Sequence, residues 1–255
     1  MDDKENINIV FLGEFRQVDR LKFFVRKKIP HKVYFIQHKD NEGGLEHKED
    51  LRKELEKELP AWVVKNSQLV DIDFFSFEDC FPKLLKIMAS ERKKGNEVHV
   101  ALHGASMIAA TATAMAASLT GTRIIWVKPS DWKSIGKEHG DPRIMFPVGG
   151  SQIKEVHIPI KPELPKAPYS HILTYIFDKK GKIAGKLSYL AEEIGLEKIS
   201  ANIKKSTSGA VKLSKIISKL RNDGLIETKR TGRKSLEISL TDQGKLIAEV
   251  LKAME

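Results

Sequence analysis

Through the first half of the chain, short apolar runs alternate with stretches whose apolar positions recur every three or four residues. "NIVFLG" (8–13) precedes a stretch with Val18, Leu21, Phe24 and Val25 at helical spacing, and "KVYFIQH" (32–38) precedes "HKEDLRKELEKELPAWVVKN" (47–66). "LVDIDFFSF" (69–77) is followed by "DCFPKLLKIMASERKKG" (79–95), and "EVHVALHG" (97–104) by an alanine-rich helix and then "TRIIWVKP" (122–129). The first pattern is that of a strand and the second that of an amphipathic helix. Strands alternating with helices of this length predict right-handed βαβ units, hence an α/β, Rossmann-like, mainly parallel sheet. The strands are apolar nearly throughout, as strands covered on both faces must be.

After Pro129 the alternation breaks. "IMFPVGGSQIKEVHIPI" (144–160) reads as a hairpin turning at Gly149-Gly150, a candidate dimer arm with Ile144, Met145, Phe146 and Ile153 as its apolar contacts. "KPELPKAP" (161–168) holds three prolines and ends a domain. The expected organisation is therefore a Rossmann-like domain over 1–160, a linker over 161–169 and a second domain over 170–255. In that last part "SHILTYIFDK", "KLSYLAEEIG" and "TSGAVKLSKIISKLRNDG" have helical periodicity. Two short strands, "LIETKR" (225–230) and "SLEISLT" (235–241), flank a basic tip, and "DQGKLIAEVLKAM" closes the chain as a helix. Three helices, a two-stranded ribbon and a final helix make the plan of a winged helix-turn-helix.

Charge sharpens the picture. The 255 residues hold 44 Lys and Arg against 34 Asp and Glu, a net of +10. From Ser170 onward the balance is 17 to 10, so most of the excess lies in the second domain, which favours an acidic partner such as double-stranded DNA. Cys80 is the single cysteine, which excludes an internal disulfide and a cysteine metal cluster; it reads as a small buried residue. The opening "MDDKENINIVFLG" is acidic where a secretory signal is basic, and the apolar stretch after Gly104 falls short of the roughly 20 residues a membrane span needs. A cytoplasmic protein is expected.

In "STSGAVKLSKIISKLRNDG", Leu213, Ile216, Ile217 and Leu220 form one stripe for docking. Lys212, Lys215 and Lys219 project from other faces, and Ser206, Thr207 or Ser208 caps the start. A recognition helix needs this combination, and Arg230, Arg233 and Lys234 in the wing suit phosphate or minor-groove contacts. The stretch from Lys219 to Leu251 also resembles MarR-like winged-helix regulators, sharing "LRNDGLI", a basic wing and "LTDQG" entering the last helix.

In an open parallel sheet, ligands bind beyond the carboxyl ends of the strands where the order reverses. With strand order 3-2-1-4-5 that point lies between the first and fourth strands, at "LGEFRQ" (12–17) and "LHGAS" (102–106). The candidate pocket is Gly13, Glu14, Phe15 and Arg16 with His103, Gly104, Ala105 and Ser106. Free N–H groups at Gly104, Ala105 and Ser106 would favour an anion, Arg16 would pair with it, and Phe15 offers a face to a base. Neither GxGxxG after the first strand nor GxxxxGK[ST] is present, so dinucleotide and NTP readings lose their support. A Ser106–His103 nucleophile pair lacks a third member.

Taken together, a Rossmann-like domain, a Gly/Ser turn after the fourth strand and a C-terminal winged helix resemble transcriptional regulators with a CARF domain, the CRISPR-associated Rossmann fold. The family's Ser/Thr-Gly-Gly turn followed by a basic position stands here as "HGASM", with Ala105 for the second glycine and Met107 for the base. The resemblance implies a CRISPR-associated homodimer with no bound cofactor, sensing a small anionic nucleotide, a cyclic oligoadenylate and foremost the tetramer, without turnover. Two rivals stand beside it: a ring nuclease using His103, Ser106 or Arg16, and a constitutive DNA-binding protein whose first domain only dimerises.

Overall fold

The computed structural model describes residues 4–13, 18–40, 48–134, 145–158, 163–195, 209–232 and 235–254. The chain divides into two compact units, Met1–Pro162 and Glu163–Glu255.

In the first unit, strands β1 (Asn6–Phe11), β2 (Lys32–His38), β3 (Gln68–Ile72), β4 (Glu97–Ala101) and β5 (Arg123–Lys128) run parallel in the order β3-β2-β1-β4-β5. That is the Rossmann-like order the sequence predicts. The connecting helices are α1 (Val18–Lys27), α2 (Lys48–Glu56), α3 (Ala61–Asn66), α4 (Phe77–Lys93) and α5 (Met107–Thr120). Val10, Leu12, Phe35, Ala101, Ile125 and Val127 pack with Leu21, Phe24 and Val25 of α1 and Leu51 and Leu55 of α2. The alternate positions Ile7, Ile9, Val98 and Val100 are equally buried, because successive strand side chains face opposite ways and α4 and α5 pack on the other face. Strands covered on both sides explain the unbroken apolar runs.

The alanine-rich α5 follows from this position. Ala109, Ala112, Ala116 and Ala117 are buried, and side chains that small let the helix lie close to α4 and the sheet. Ser106 caps its start by accepting from the Ala109 N–H at 3.1 Å, and Gly121 ends it in the left-handed conformation, φ 69°.

The hairpin expected within 144–160 is not formed by that segment alone. Strand β6 (Asp131–Ser134) pairs with β7 (Met145–Val148), whereas β8 (Gln152–Val156) joins the main sheet antiparallel to β5. The chain from 145 to 156 thus returns along 123–134. Gly149 and Gly150 mark a bend between two strand pairs, not the turn of one. The bend is tight: a Cβ on Gly150 would lie 2.5 Å from the Phe23 ring of α1.

The second unit runs α6 (Tyr169–Asp178), β9 (Lys182–Lys186), α7 (Leu187–Glu193), α8 (Gly209–Asn222), β10 (Ile226–Arg230), β11 (Ser235–Leu240) and α9 (Asp242–Met254). The ribbon is three-stranded, in the order β10-β11-β9, where the sequence predicts two strands. "KIAGK" is too short and polar to announce itself; it is a strand because Ile183 and Ile238 are register partners in the core. Leu213, Ile216, Ile217 and Leu220 of α8 are all buried, the docking stripe that was expected.

Candidate functional site

Two surfaces come from the sequence, one in each unit. In the first, β1 and β4 are parallel neighbours, so the loops that follow them meet at the reversal of strand order. They meet backbone to backbone. A Cβ on Gly13 would stand 1.7 Å from the Gly104 carbonyl oxygen, and Gly104 itself has φ 81°. Both positions therefore require glycine, the first for space and the second for conformation. Glu14, Phe15 and Arg16 lie outside the described residues.

The rest of the loop is committed to structure. The Ala105 N–H donates to the Leu102 carbonyl at 3.3 Å, closing a turn. That corrects the expectation of three free N–H groups here, since Ala105 is already bonded. Ser106 Oγ donates to the Phe74 carbonyl while capping α5, which ties the loop after β3 to the start of the helix. His103 is buried; its Nε2 accepts from the Val127 N–H at 3.2 Å, and its Nδ1 has no hydrogen-bond partner. Burial, reinforced by the charge of Arg20, pushes this imidazole down to about 4, so it is neutral at pH 7. His103 and Ser106 each bond elsewhere, and no bond joins them as the nucleophile pair requires.

Arg20 is the residue sequence reasoning missed. It is buried on α1, and its Nε and Nη2 both donate to the Val127 carbonyl, at 3.1 and 2.7 Å. It places a cation beside the carboxyl end of β5, four residues after the Arg16 singled out above. Its position next to Leu21 on the buried face of α1 was the available signal. Phe75, 58% exposed, and Met107, 86% exposed, are uncovered apolar side chains on the loop after β3 and at the first residue of α5.

In the second unit the exposed residues of α8 fall on two flanks of its buried stripe. Lys212, Lys215 and Lys219 share one flank. Lys219 Nζ lies over the Tyr169 ring of α6, 5.0 Å from its centroid, so this lysine is engaged within the unit. Ser214, Ser218 and Arg221 share the other flank, which faces β10 and β11 across a groove that Arg230 also lines. Sequence reasoning missed Arg221, although its spacing of three from Ser218 places it there. Ser206, Thr207, Ser208, Arg233 and Lys234 lie outside the described residues. Among the described residues, Lys212, Lys215, Arg221 and Arg230 form no salt bridge.

Among those residues, no group of three or more His, Cys, Asp or Glu stands ready to hold a metal, and no helix is long and apolar enough to cross a membrane.

Two family descriptions match the chain, one in each unit. Residues 6–132 match "HFX_2341_N-like, N-terminal", and residues 169–252 match "DUF6293 C-terminal winged helix domain". The second unit is a winged-helix domain. Its strand β9 stands between the first two helices, and the β10–β11 ribbon is its wing. No curated protein matches the chain. Similar solved structures include Can2 from Sulfobacillus thermosulfidooxidans in complex with cyclic tetra-adenylate, at 12% identity, 95% of this chain, 63% of that one and a TM-score of 0.38. Protein VC1899 from Vibrio cholerae matches at 12% identity over 98% of this chain and 66% of its own, TM-score 0.38. Enterococcus italicus Csm6 bound to cyclic hexa-2'-fluoro-hexa-dAMP matches at 14% identity over 86% and 54%, TM-score 0.39. The chain thus spans about two thirds or less of each of these structures.

Proposed function

We propose that this protein is a ligand-responsive, DNA-binding transcriptional regulator that acts as a homodimer. The winged-helix domain docks on double-stranded DNA through α8 and the wing. The Rossmann-like unit takes a small anionic nucleotide at the carboxyl ends of β1 and β4, a cyclic oligoadenylate being the ligand its CARF resemblance implies. The observation that supports DNA binding is the set of cations on α8 and at the end of β10 that form no salt bridge among the described residues, on a helix whose opposite stripe is wholly buried. Such a surface has affinity for phosphate and is free to give it. At the other site, the buried Arg20 is held on the Val127 carbonyl beside His103, at the carboxyl end of β5.

The experiment is a salt titration of duplex binding by the full chain, with and without cyclic tetra-adenylate. Affinity should fall steeply with salt and change when the ring is added. Calorimetry should give one ring per dimer, and Gly104→Asp should abolish that heat by adding bulk and negative charge. The ring should be recovered intact after incubation. A protein with no affinity for duplex DNA at low salt is not this regulator.

A further inference from the structure

The main sheet of the first unit ends on one side at β3, whose one strand neighbour among the described residues is β2. Two hydrogen bonds fix which way its peptide groups point. The Ile72 carbonyl accepts from the Lys39 N–H, just beyond β2, at 3.1 Å, so it faces inward. The Asp71 carbonyl accepts from Lys83 Nζ of α4 at 3.1 Å and faces outward. The N–H and C=O of one strand residue share a direction, and successive residues alternate. Gln68, Val70 and Ile72 therefore serve β2, and Leu69 and Asp71 serve the edge. The Leu69 N–H and C=O and the Asp71 N–H line that edge, and among the described residues no strand pairs with them. Such a row is a template for a further strand.

Beside the edge, a groove of about 400 Å³ runs between β3 and α4. Val70, Ile87 and the Tyr34 ring line it with apolar surface, and Lys83, Lys86 and Ser90 form its helix wall. Lys83 is engaged by Asp79, whereas Lys86 is exposed and forms no salt bridge among the described residues. Asp71 also reaches the groove, but its carboxylate is occupied, accepting from Gln37 Nε2 at 2.6 Å. Apolar contact beside an uncompensated cation suits a segment that carries both apolar and acidic side chains.

The available backbone groups set a direction. In parallel pairing, one added residue in register with Val70 donates its N–H to the Leu69 carbonyl and accepts from the Asp71 N–H. It asks nothing of the Asp71 carbonyl, which Lys83 holds. An antiparallel strand that reaches Asp71 needs that carbonyl as well. A second copy of β3 brought up by a two-fold axis runs antiparallel and carries the same lysines, so it fits on neither count. We infer that the β3 edge receives an extended acidic segment of a partner protein as an added parallel strand. Its central residue is apolar and lies against Val70 and Ile87, since register partners face the same side. Acidic residues two positions away share that face and meet Lys86. The inference is independent of the DNA and nucleotide readings.

The test is fluorescence anisotropy of the full chain with a labelled probe of sequence glutamate-valine-isoleucine-valine-glutamate. Binding should weaken about tenfold with Lys86→Glu, and about as much when lysines replace the probe's glutamates. Methylating the isoleucine nitrogen removes the donor to Leu69 and should also weaken binding about tenfold. Methylating the nitrogen of the valine that follows, which points away from β3, should change it little. In hydrogen exchange followed by NMR, the probe should slow the Leu69 and Asp71 amides and leave Val70 unchanged. Lys86 is exposed, so Lys86→Glu should keep the wild-type urea midpoint in tryptophan fluorescence. No binding at about 1 mM probe overturns the inference, as does equal sensitivity to the two methylations. Slowing of the Leu69 and Asp71 amides by rising protein concentration alone assigns the edge to a second copy. Slowing by a single-stranded oligonucleotide, with none by the probe, assigns it to nucleic acid.

Discussion

Gly13 has no room for a methyl group: a Cβ there would stand 1.7 Å from the carbonyl oxygen of Gly104. The loops after β1 and β4 therefore close on each other, and any ligand at the switch point must sit outside this contact instead of between the two glycines. Gly13→Ala forces the loops apart and should destabilise the first unit by about 2–3 kcal/mol. All three tryptophans, Trp62, Trp126 and Trp132, lie in that unit, so tryptophan fluorescence in urea follows it alone. An unshifted midpoint counts against the contact.

Acidification should weaken the same unit through His103. Its imidazole is pushed down to about 4 by burial and then by Arg20, from an ordinary value of 6.5. Between those values the unfolded chain binds a proton that the folded chain does not. Stability is therefore complete above pH 6.5 and is lost as the pH falls toward 4, by on the order of 3 kcal/mol in all. His103→Gln removes the titrating group and should shrink the difference between urea midpoints at pH 7.5 and 4.5. Equal differences in variant and wild type would remove His103 from this role.

A second buried charge is a stability feature and not a site. Glu91 accepts from Tyr34 Oη at 2.5 Å and Asn96 Nδ2 at 2.8 Å, with Lys94 Nζ at 3.2 Å and Lys32 Nζ at 3.4 Å. Burial pushes its carboxyl up, but these bonds and the Lys32 charge outweigh burial and hold it below its ordinary value. Glu91→Ala leaves the Tyr34 hydroxyl and Asn96 amide without their acceptor and should cost about 3 kcal/mol. Thermal denaturation of this variant beside Tyr34→Phe measures it, the milder substitution costing less.

The three lysines of α8 should not behave alike. Lys219 is placed over the Tyr169 ring, whereas Lys215 is exposed and forms no salt bridge among the described residues. Lys215→Ala should reduce duplex affinity several-fold, and Lys219→Ala should reduce it little. Matched binding isotherms decide, and equal losses would show that Lys219 leaves the ring to reach DNA.

The strand order of the first unit was legible because parallel strands buried on both faces leave runs such as "NIVFL" and "VYFI" in the sequence. The docking stripe of α8 was legible for the same reason: helical spacing reports burial directly. Pairing partners were not. β7 and β8 look like a hairpin locally, and only the position of 123–134 in the folded unit gives each strand its true neighbour. At the switch point, the two glycines were visible in the sequence but their contact was not, since a close approach of two backbones leaves no side-chain signature. Arg20 escaped notice because a charged residue inside an apolar stripe is ordinarily exposed. Arg221 escaped because the lysines on the opposite flank drew the reading to themselves.

Strand β9 pairs with β11, not with its sequence neighbour in the ribbon, from Lys182↔Ser239 to Lys186↔Ser235. The chain from α7 through β10, recognition helix included, is thus a loop whose two ends are stitched together by a sheet. Such a loop opens as one cooperative unit. In native-state hydrogen exchange, amides of the buried α8 stripe and of β11 should share one opening free energy, distinct from that of fraying ends. Gly185, whose Cβ would meet Leu190 of α7 at 3.4 Å, sits at the seam. Gly185→Val should accelerate exchange across α8, although no residue of that helix has changed.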